Sequence, residues 1–327
     1  MAAMRMIEAV RAAIAEEMER DPRVLVMGED VGKKGGVFGA TDGLYARFGE
    51  DRVLDTPLAE SAIVGVAIGA ALNGLIPIAE IQFADFIHPA FDQIVSEAAR
   101  TRYRSNGDWS VPMVIRTPFG GGVHGGLYHS QSIEAFYAHV PGLKVIVPST
   151  PTDAHGLLKS AIRDPDPVLC LEHKKVYRLL VEEVPEGDHL IPIGPARIRR
   201  KGTKLSCFAW GLMTHYCLAA AETLEGEGIS VEVVDLRTLA PLDRDTILQS
   251  VRKTGKAMVV HEDNLTGGFG AEVSAIISEH AFDSLDGPVI RVAAPDIPAM
   301  PFNTPQEEFF MPNPEKIASA MRILAAY

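Results

Sequence analysis

The sequence predicts an α/β protein made of two successive units, each a mainly parallel sheet covered by helices. Three observations predict it. Short apolar runs rich in Val, Ile and Leu recur along the chain, bounded by Gly, Pro and Asp. Stretches with helical periodicity lie between several of them. One segment rich in Pro, Gly and charge interrupts this rhythm, which then restarts.

In chain order, MAAMRMIEAV opens directly into an amphipathic pattern, with no charged-then-apolar leader. The first unit's strands are expected at 23–30 (RVLVMGED), 77–83 (PIAEIQF), 112–118 (PMVIRTP), 143–149 (LKVIVPS) and 167–173 (PVLCLEH). They are too uniformly apolar for a sheet with one face in water, so both faces should be covered. Helical patterns occupy 60–72, 88–104 and 152–163. Pro57 opens the first of these, with Asp55 or Thr56 as its cap. Residues 182–203, EEVPEGDHLIPIGPARIRRKGT, have the composition of a linker. The boundaries expected are a first domain at 1–185, a linker at 186–203 and a second domain at 204–327. In the second, strands fall at KLSCFAWG, SVEVVDLRTL, AMVVHED and PVIRVAA. Helices fall between them, through ETLEGEG, near 243–253 and over 270–281, with Gly226 and Gly228 as stop signals.

The 327 residues are 47% hydrophobic and 23% charged, enough to bury two cores. A net charge of −12 argues against binding nucleic acid or an anionic membrane, both of which need a basic face. No apolar stretch reaches the ~20 residues of a membrane span. Cys170, Cys207 and Cys217 form no C-x-x-C pair, and two of them sit in strand-like runs. They read as packed thiols in a reducing compartment, so a cytoplasmic location is expected.

Several common motifs are missing. There is no G-x-x-x-x-G-K-[ST], no strand-linked G-x-G-x-x-G followed by a ribose-binding acid, no H-E-x-x-H and no G-x-S-x-G. Glu60 is the first residue to single out. It begins an otherwise nearly all-apolar helix, where the helix dipole favours its charge and burial opposes it. A solvated first-turn glutamate is the plainer reading. Gly65 and Gly69 would let another helix approach closely.

The second candidate is GGGVHGGLYHSQS (120–132), which follows a strand, where α/β sheets place ligands. His124 and His129 are five residues apart with no carboxylate or cysteine at ligand spacing. A general acid–base histidine is therefore a better functional reading than a metal pair, with His124 simply packing the loop. In AEIQFADFIHPAFDQI, Gln82 and Asp85 interrupt apolar residues at a strand-to-helix change, and His88 reads as structural. TGGFGAE (266–272) is either an anion-binding turn or a flexible one, and ARTRYRSNG (99–107) is a solvated helix end or a partner contact.

Taken together, the sequence resembles the β chains of the 2-oxoacid dehydrogenase decarboxylase components. The likeness runs end to end through GEDVG..GGVF (28–38), DTPLAESAI (55–63), AEIQFADF (79–86), RYRS (102–105), GGGVHGGLYHSQS (120–132), PGLKVIVPSTP (141–151), VVDLRTLAPLD (233–243) and PDIPAMP (295–301). The FAD and YHSQS wording is more similar to the branched-chain than to the pyruvate branch, with pyruvate and acetoin dehydrogenase β chains as the alternative.

The resemblance implies a transketolase-like architecture: a pyrimidine-binding domain, then a transketolase C-terminal domain. It implies a thiamine-diphosphate-dependent enzyme that decarboxylates 2-oxoacids and passes the acyl group to the lipoyl group of an acyltransferase core. Glu60 would hydrogen-bond the aminopyrimidine ring, and His129 would handle protons during acyl transfer. Leu58, Gln82 and Phe86 match positions lining the pyrimidine pocket. Phe86 stands where relatives carry Tyr, so its role would be steric. A monovalent-cation (K⁺) site of relatives maps to Val111, Met113, Val114, Ala161, Asp164 and Asp166, the first four through backbone carbonyls. The family's GDG…N pattern, which holds Mg²⁺ and diphosphate, is missing here; Gly107–Asp108 and Gly187–Asp188 lack the third glycine. An α subunit would carry it, in an assembly of two α and two β chains, with activity only when both are present. A self-sufficient thiamine enzyme and a non-catalytic scaffold are the rival readings. The absent GDG counts against the first, and the presence of Glu60 and His129 against the second.

Overall fold

A computed structural model describes residues 2–327. The chain divides into two compact units. The first comprises the residues up to Phe119 together with Phe136–Ile193; the second comprises Gly120–Ala135 and Gly194–Tyr327.

The first unit opens with β1 (Ala2–Arg5) and α1 (Met6–Arg20), followed by β2 (Val24–Gly28), α2 (Leu44–Phe48), β3 (Val53–Asp55), α3 (Glu60–Leu72) and β4 (Ile76–Glu80). Residues 88–104, expected as one helix, are split into short pieces. A tight turn at His88–Ala90 leads into a widened π-turn at Gln93–Ala98 and then α4 (Thr101–Arg104). Then come β5 (Val114–Phe119), α5 (Glu134–Ala138, whose first two residues fall in the second unit), β6 (Lys144–Ile146), α6 (Pro151–Ile162), β7 (Val168–His173) and β8 (Val181–Val184).

Strands β6, β7, β5, β4, β2 and β3 lie side by side in that order, every pairing parallel. β2, β4, β5 and β7 are buried along their whole length, as their apolar runs require. Helices α1 and α6 pack together. α1 buries Met6, Val10, Ile14 and Met18 at helical spacing, and each such side chain contributes about 1.5–3 kcal/mol. Arg163 reaches the buried Glu17 at 2.6 Å, and the buried Lys159 reaches Glu16 at 2.7 Å.

Helix α3 is apolar on all sides, which a one-sided surface helix never is. It buries Ile63, Val64, Ala67, Ile68 and Ala71. Its other face leaves Val66 exposed, and Leu58 just ahead of it is 78% exposed.

In the second unit, β9 (Arg197–Arg200) precedes β10 (Leu205–Ala209), α7 (Leu212–Glu225), β11 (Val231–Asp235), β12 (Thr238–Ala240), α8 (Arg244–Thr254), β13 (Ala257–Asn264), α9 (Gly270–His280) and β14 (Ile290–Ala294). Helices α10 (Thr304–Phe310) and α11 (Pro314–Ala325) follow. The sheet order is β14-β13-β10-β11-β9, parallel except for β9, which runs antiparallel along the edge. Strands β8 and β9 thus lie at either end of the stretch with a linker's composition. Arg199 of β9 is tied to Asp235 of β11 at 2.8 Å. The three cysteines are free and buried.

Candidate functional site

Parallel sheets place ligand-binding groups just beyond the carboxyl ends of their strands, and the first unit's candidates lie there. Glu60 is the first residue of α3, half-buried, directly after the loop that leaves β3. The caps expected for this helix do not form. Asp55 accepts the Gly32 N–H at 2.7 Å instead, and the buried Thr56 hydroxyl has no hydrogen-bond partner. The residue ahead of the helix is Ala59, with no side chain able to cap. Glu60 is therefore the acidic group of a first turn whose N–H groups favour negative charge.

Glu29, at the end of β2, stands close enough to feel that charge. Burial, then Glu60, then Asp30 push its carboxyl above the ordinary range. Gln82 joins the group from beyond β4, its amide donating to the Glu29 carbonyl and to Asp30 Oδ2, both at 3.3 Å. Asp30 holds a positive φ of 59° and is paired with Lys34 at 2.7 Å. Phe86 follows on a short 3₁₀ turn whose first residue is Ala84, preceded by Phe83 rather than capped by Asp85. Its ring meets Phe83 edge-on at 5.8 Å, and Phe83 meets Phe38 at 5.6 Å. Glu60 and Gln82 are thus linked through Glu29, and Phe86 borders them through Phe83. Leu58 lies two residues ahead of Glu60, largely exposed.

A charge network lies inside the same sheet, and the sequence reading missed it. Arg116 of β5 is fully buried and binds Glu172 of β7 through two nitrogens, at 2.9 and 2.5 Å. It also binds Glu80 of β4. The Tyr177 hydroxyl donates to Glu172 at 2.6 Å. Burial pushes the Glu80 carboxyl up, against the pull of Arg116. Burial would weaken the proton affinity of Arg116, but Glu172 and Glu80 outweigh it and hold the guanidinium above its usual range. Residues 80, 116 and 172 end or interrupt apolar strands, and that interruption is the signal that would have found them.

The glycine-rich segment belongs to the second unit. Gly120 N–H donates to the Gln131 carbonyl at 3.0 Å and closes its base. A 3₁₀ turn at Gly126–Tyr128 presents His129, half-buried, and Ser130 behind it is fully buried. The His124 side chain is exposed, and its Nδ1 meets Glu307 at 2.7 Å. Beyond the segment, Trp210 Nε1 donates to buried Glu134 at 3.0 Å, and burial with the nearby Asp263 pushes the Glu134 carboxyl up to about 8. The His261 ring stacks on Trp210 at 5.6 Å, and burial brings its pKa down to about 4. An added Cβ on Gly268 or Gly270 would lie 2.5 or 2.4 Å from the His261 ring, so TGGFGAE serves as a packing turn. His88 is exposed and meets Phe136 edge-on at 5.4 Å.

The residues mapped to a monovalent cation lie at the opposite, amino ends of the first unit's strands, where β5 and β7 begin. Val111, Met113, Val114 and Ala161 are buried. The Met113 carbonyl accepts the Val168 N–H, and the Ala161 carbonyl accepts the Asp164 N–H. Both Asp164 oxygens accept from Lys144 Nζ at 2.6 Å, and Asp166 pairs with Arg102 at 2.5 Å. Among the described residues, no group of three or more His, Cys, Asp or Glu side chains is placed to hold a metal ion. No described helix is long and apolar enough to cross a membrane.

Comparison with known proteins gives this geometry a context. Residues 2–179 match the transketolase pyrimidine-binding domain, and residues 194–317 match the transketolase C-terminal domain. The chain is 59% identical over 327 residues to the 2-oxoisovalerate dehydrogenase subunit beta of Bacillus subtilis (strain 168), covering 100% of both. It is 52% identical over 322 residues to the pyruvate dehydrogenase E1 component subunit beta of the same organism, covering 98% of each. A solved structure described as a split gene transketolase, inactive beta4 tetramer, superposes with a TM-score of 0.80 at 26% identity, covering 99% of both chains.

Proposed function

This chain belongs to the transketolase-like family that includes the β subunits of the 2-oxoacid dehydrogenases, and from that premise we propose that it supplies the aminopyrimidine-binding half of a thiamine-diphosphate active site. It is the β subunit of a branched-chain 2-oxoacid dehydrogenase. The reaction is oxidative decarboxylation of the 2-oxoacid with transfer of the acyl group to lipoyllysine. The observation that carries this reading is Glu60, the acid of an apolar helix's first turn, beside a Glu29 whose carboxyl is pushed up by burial and by that neighbour.

These residues fit an aminopyrimidine. The ring is flat and largely apolar, with a nitrogen that must be held by one acid. Glu60 would hydrogen-bond that nitrogen and exchange a proton with it. The Leu58 side chain is exposed and free to cover the ring, and Phe86 adds a hydroxyl-free wall that excludes water. Gln82 is oriented by Glu29 and Asp30. When bound, the coenzyme supplies an electron sink for the pair released as CO₂ departs. His129 gives or takes a proton as the acyl group passes to lipoyl sulfur.

The remainder of the reading concerns partners. An α subunit carries Mg²⁺ and the diphosphate, in an assembly of two α and two β chains. The exposed apolar face of α3, with Val66 and the small residues Gly65 and Gly69, suits close approach by such a partner. The second unit docks the lipoyl-bearing acyltransferase core. K⁺ would be held chiefly by the carbonyls of Val111, Met113, Val114 and Ala161, since Lys144 already neutralises Asp164. The buried free thiols and the acidic charge fit the cytoplasm.

The test uses the assembled α and β chains. We expect kcat/KM for 3-methyl-2-oxobutanoate to exceed that for pyruvate by about tenfold or more, the scale on which one or two methyl groups are discriminated. A preference for pyruvate would assign the chain to the pyruvate branch. In the same preparation His129→Ala is expected to slow lipoyl acylation by about 10²-fold. Dye-linked decarboxylation should suffer less, and equal losses in the two assays would remove His129 from acyl transfer.

A further inference from the structure

The PDIPAMP segment and helix α10 have no part in the reaction as described so far. We propose that Glu307 of α10, together with Glu262 of β13, are positioning residues that clamp the segment bearing His129. This inference rests on the role given to His129 above.

The clamp consists of two buried carboxylates, each 3% exposed, that accept hydrogen bonds from the segment itself. Glu262 Oε1 takes the Gly121 N–H at 2.6 Å and the Ser132 hydroxyl at 3.1 Å, so one oxygen ties the start of the segment to its end. Glu307 Oε1 takes the N–H groups of Gly122 at 2.9 Å and His124 at 3.2 Å, while its Oε2 meets His124 Nδ1 at 2.7 Å. Bonds from N–H groups to a carboxylate are about twice as strong as neutral ones, and burial protects them from competition by water.

Apolar contacts from the same stretch complete the grip. A Cβ on Gly121 would fall 1.9 Å from the Met300 sulfur, so a larger residue there would have to displace the Met300 side chain. A Cβ on Gly126, which has a φ of +64°, would fall 3.1 Å from the Phe302 ring. Met300, Phe302 and Glu307 thus hold the segment's first half, and Glu262 closes the loop that ends at Ser132. His129 lies between the two fixed regions, and its backbone N–H donates to the Gly126 carbonyl at 3.4 Å. Fixing both flanks through buried carboxylates limits how far the turn that carries His129 can move.

The experiment compares Glu307→Ala, Glu307→Gln and His129→Ala chains in the assembled αβ enzyme. Three readouts are taken: dye-linked decarboxylation, lipoyl acylation, and amide hydrogen exchange of the peptide spanning 120–132. Glu307→Ala should speed exchange at Gly122 and His124 about tenfold or more. It should slow lipoyl acylation by about tenfold to 10²-fold, the scale of a displaced reacting group, with decarboxylation changed less than about threefold. Glu307→Gln keeps a carbonyl oxygen for the two N–H groups and should recover much of both losses. In the Glu307→Ala/His129→Ala double variant the acylation defect should match that of His129→Ala alone. Unchanged exchange in Glu307→Ala, a Gln variant as damaged as the Ala one, or additive losses in the double variant would each overturn the proposal. If His129→Ala acylates lipoyl normally while Glu307→Ala still loosens the segment, the role assigned to His129 fails and the clamp stands.

Discussion

Glu60→Gln in the assembled enzyme is expected to lower turnover by about 10²–10⁴-fold, the contribution of a positioned acid–base group, with the chain still folded and still paired with α. The substitution keeps the side chain's volume and its place at the start of α3. What it removes is the carboxylate proposed to exchange a proton with the ring nitrogen, and with it the negative charge that Glu29 feels. The Glu29 carboxyl should then lose protons more readily, because one cause of its raised affinity is gone. Turnover and size-exclusion profile together check this. A Gln variant with wild-type turnover would make Glu60 the solvated first-turn glutamate that composition alone allows, whereas a variant that fails to assemble would give it a structural role.

Arg116→Met is expected to be the most destabilising single change in the first unit. Removing the guanidinium leaves Glu80 and Glu172 buried and facing each other with no cation among their described partners. Breaking one side of a buried pair costs about 3–5 kcal/mol, because the charge left behind keeps its desolvation penalty. For a domain of this size that corresponds to roughly 10 °C in the unfolding midpoint. Replacing all three residues by apolar ones of similar volume should cost less than Arg116→Met alone, since no uncompensated charge then remains. Thermal unfolding of the three chains checks the ordering, and a single variant as stable as the parent would show that the network carries little of the fold's stability.

The fold class was legible because it depends on periodicity. Strands buried on both faces read as unbroken apolar runs, and 24–28, 76–80, 114–119 and 168–173 all appear where such runs stand. The short pieces at 88–104 were not legible, since a π-turn changes the hydrogen-bond step without changing which residues are apolar. The caps of α3 were misread for a related reason. Asp55 is a good cap by type, but its carboxylate is claimed by Gly32, twenty-three positions away in sequence, and no local pattern reports that.

The site was legible in part. Glu60 stood out as an acid in an apolar helix, and His129 as a titratable group in a glycine-rich turn after a strand. Their assigned roles came from the resemblance and not from the residues. The Glu80–Arg116–Glu172 network escaped notice because each member looks like an incidental charge at the end of a strand, and only the register of β4, β5 and β7 makes them neighbours. The hold of Glu262 and Glu307 on the glycine segment joins residues more than 100 positions apart, which only tertiary structure reveals.

The most direct test is a reconstitution. The isolated chain, a partner chain carrying the GDG…N pattern, and their mixture are each supplied with thiamine diphosphate, Mg²⁺ and a branched 2-oxoacid, and CO₂ release is measured. The expected result is release by the mixture and none by either chain separately. Decarboxylation by this chain unaided would contradict the account, because it would place the metal–diphosphate half of the site here as well.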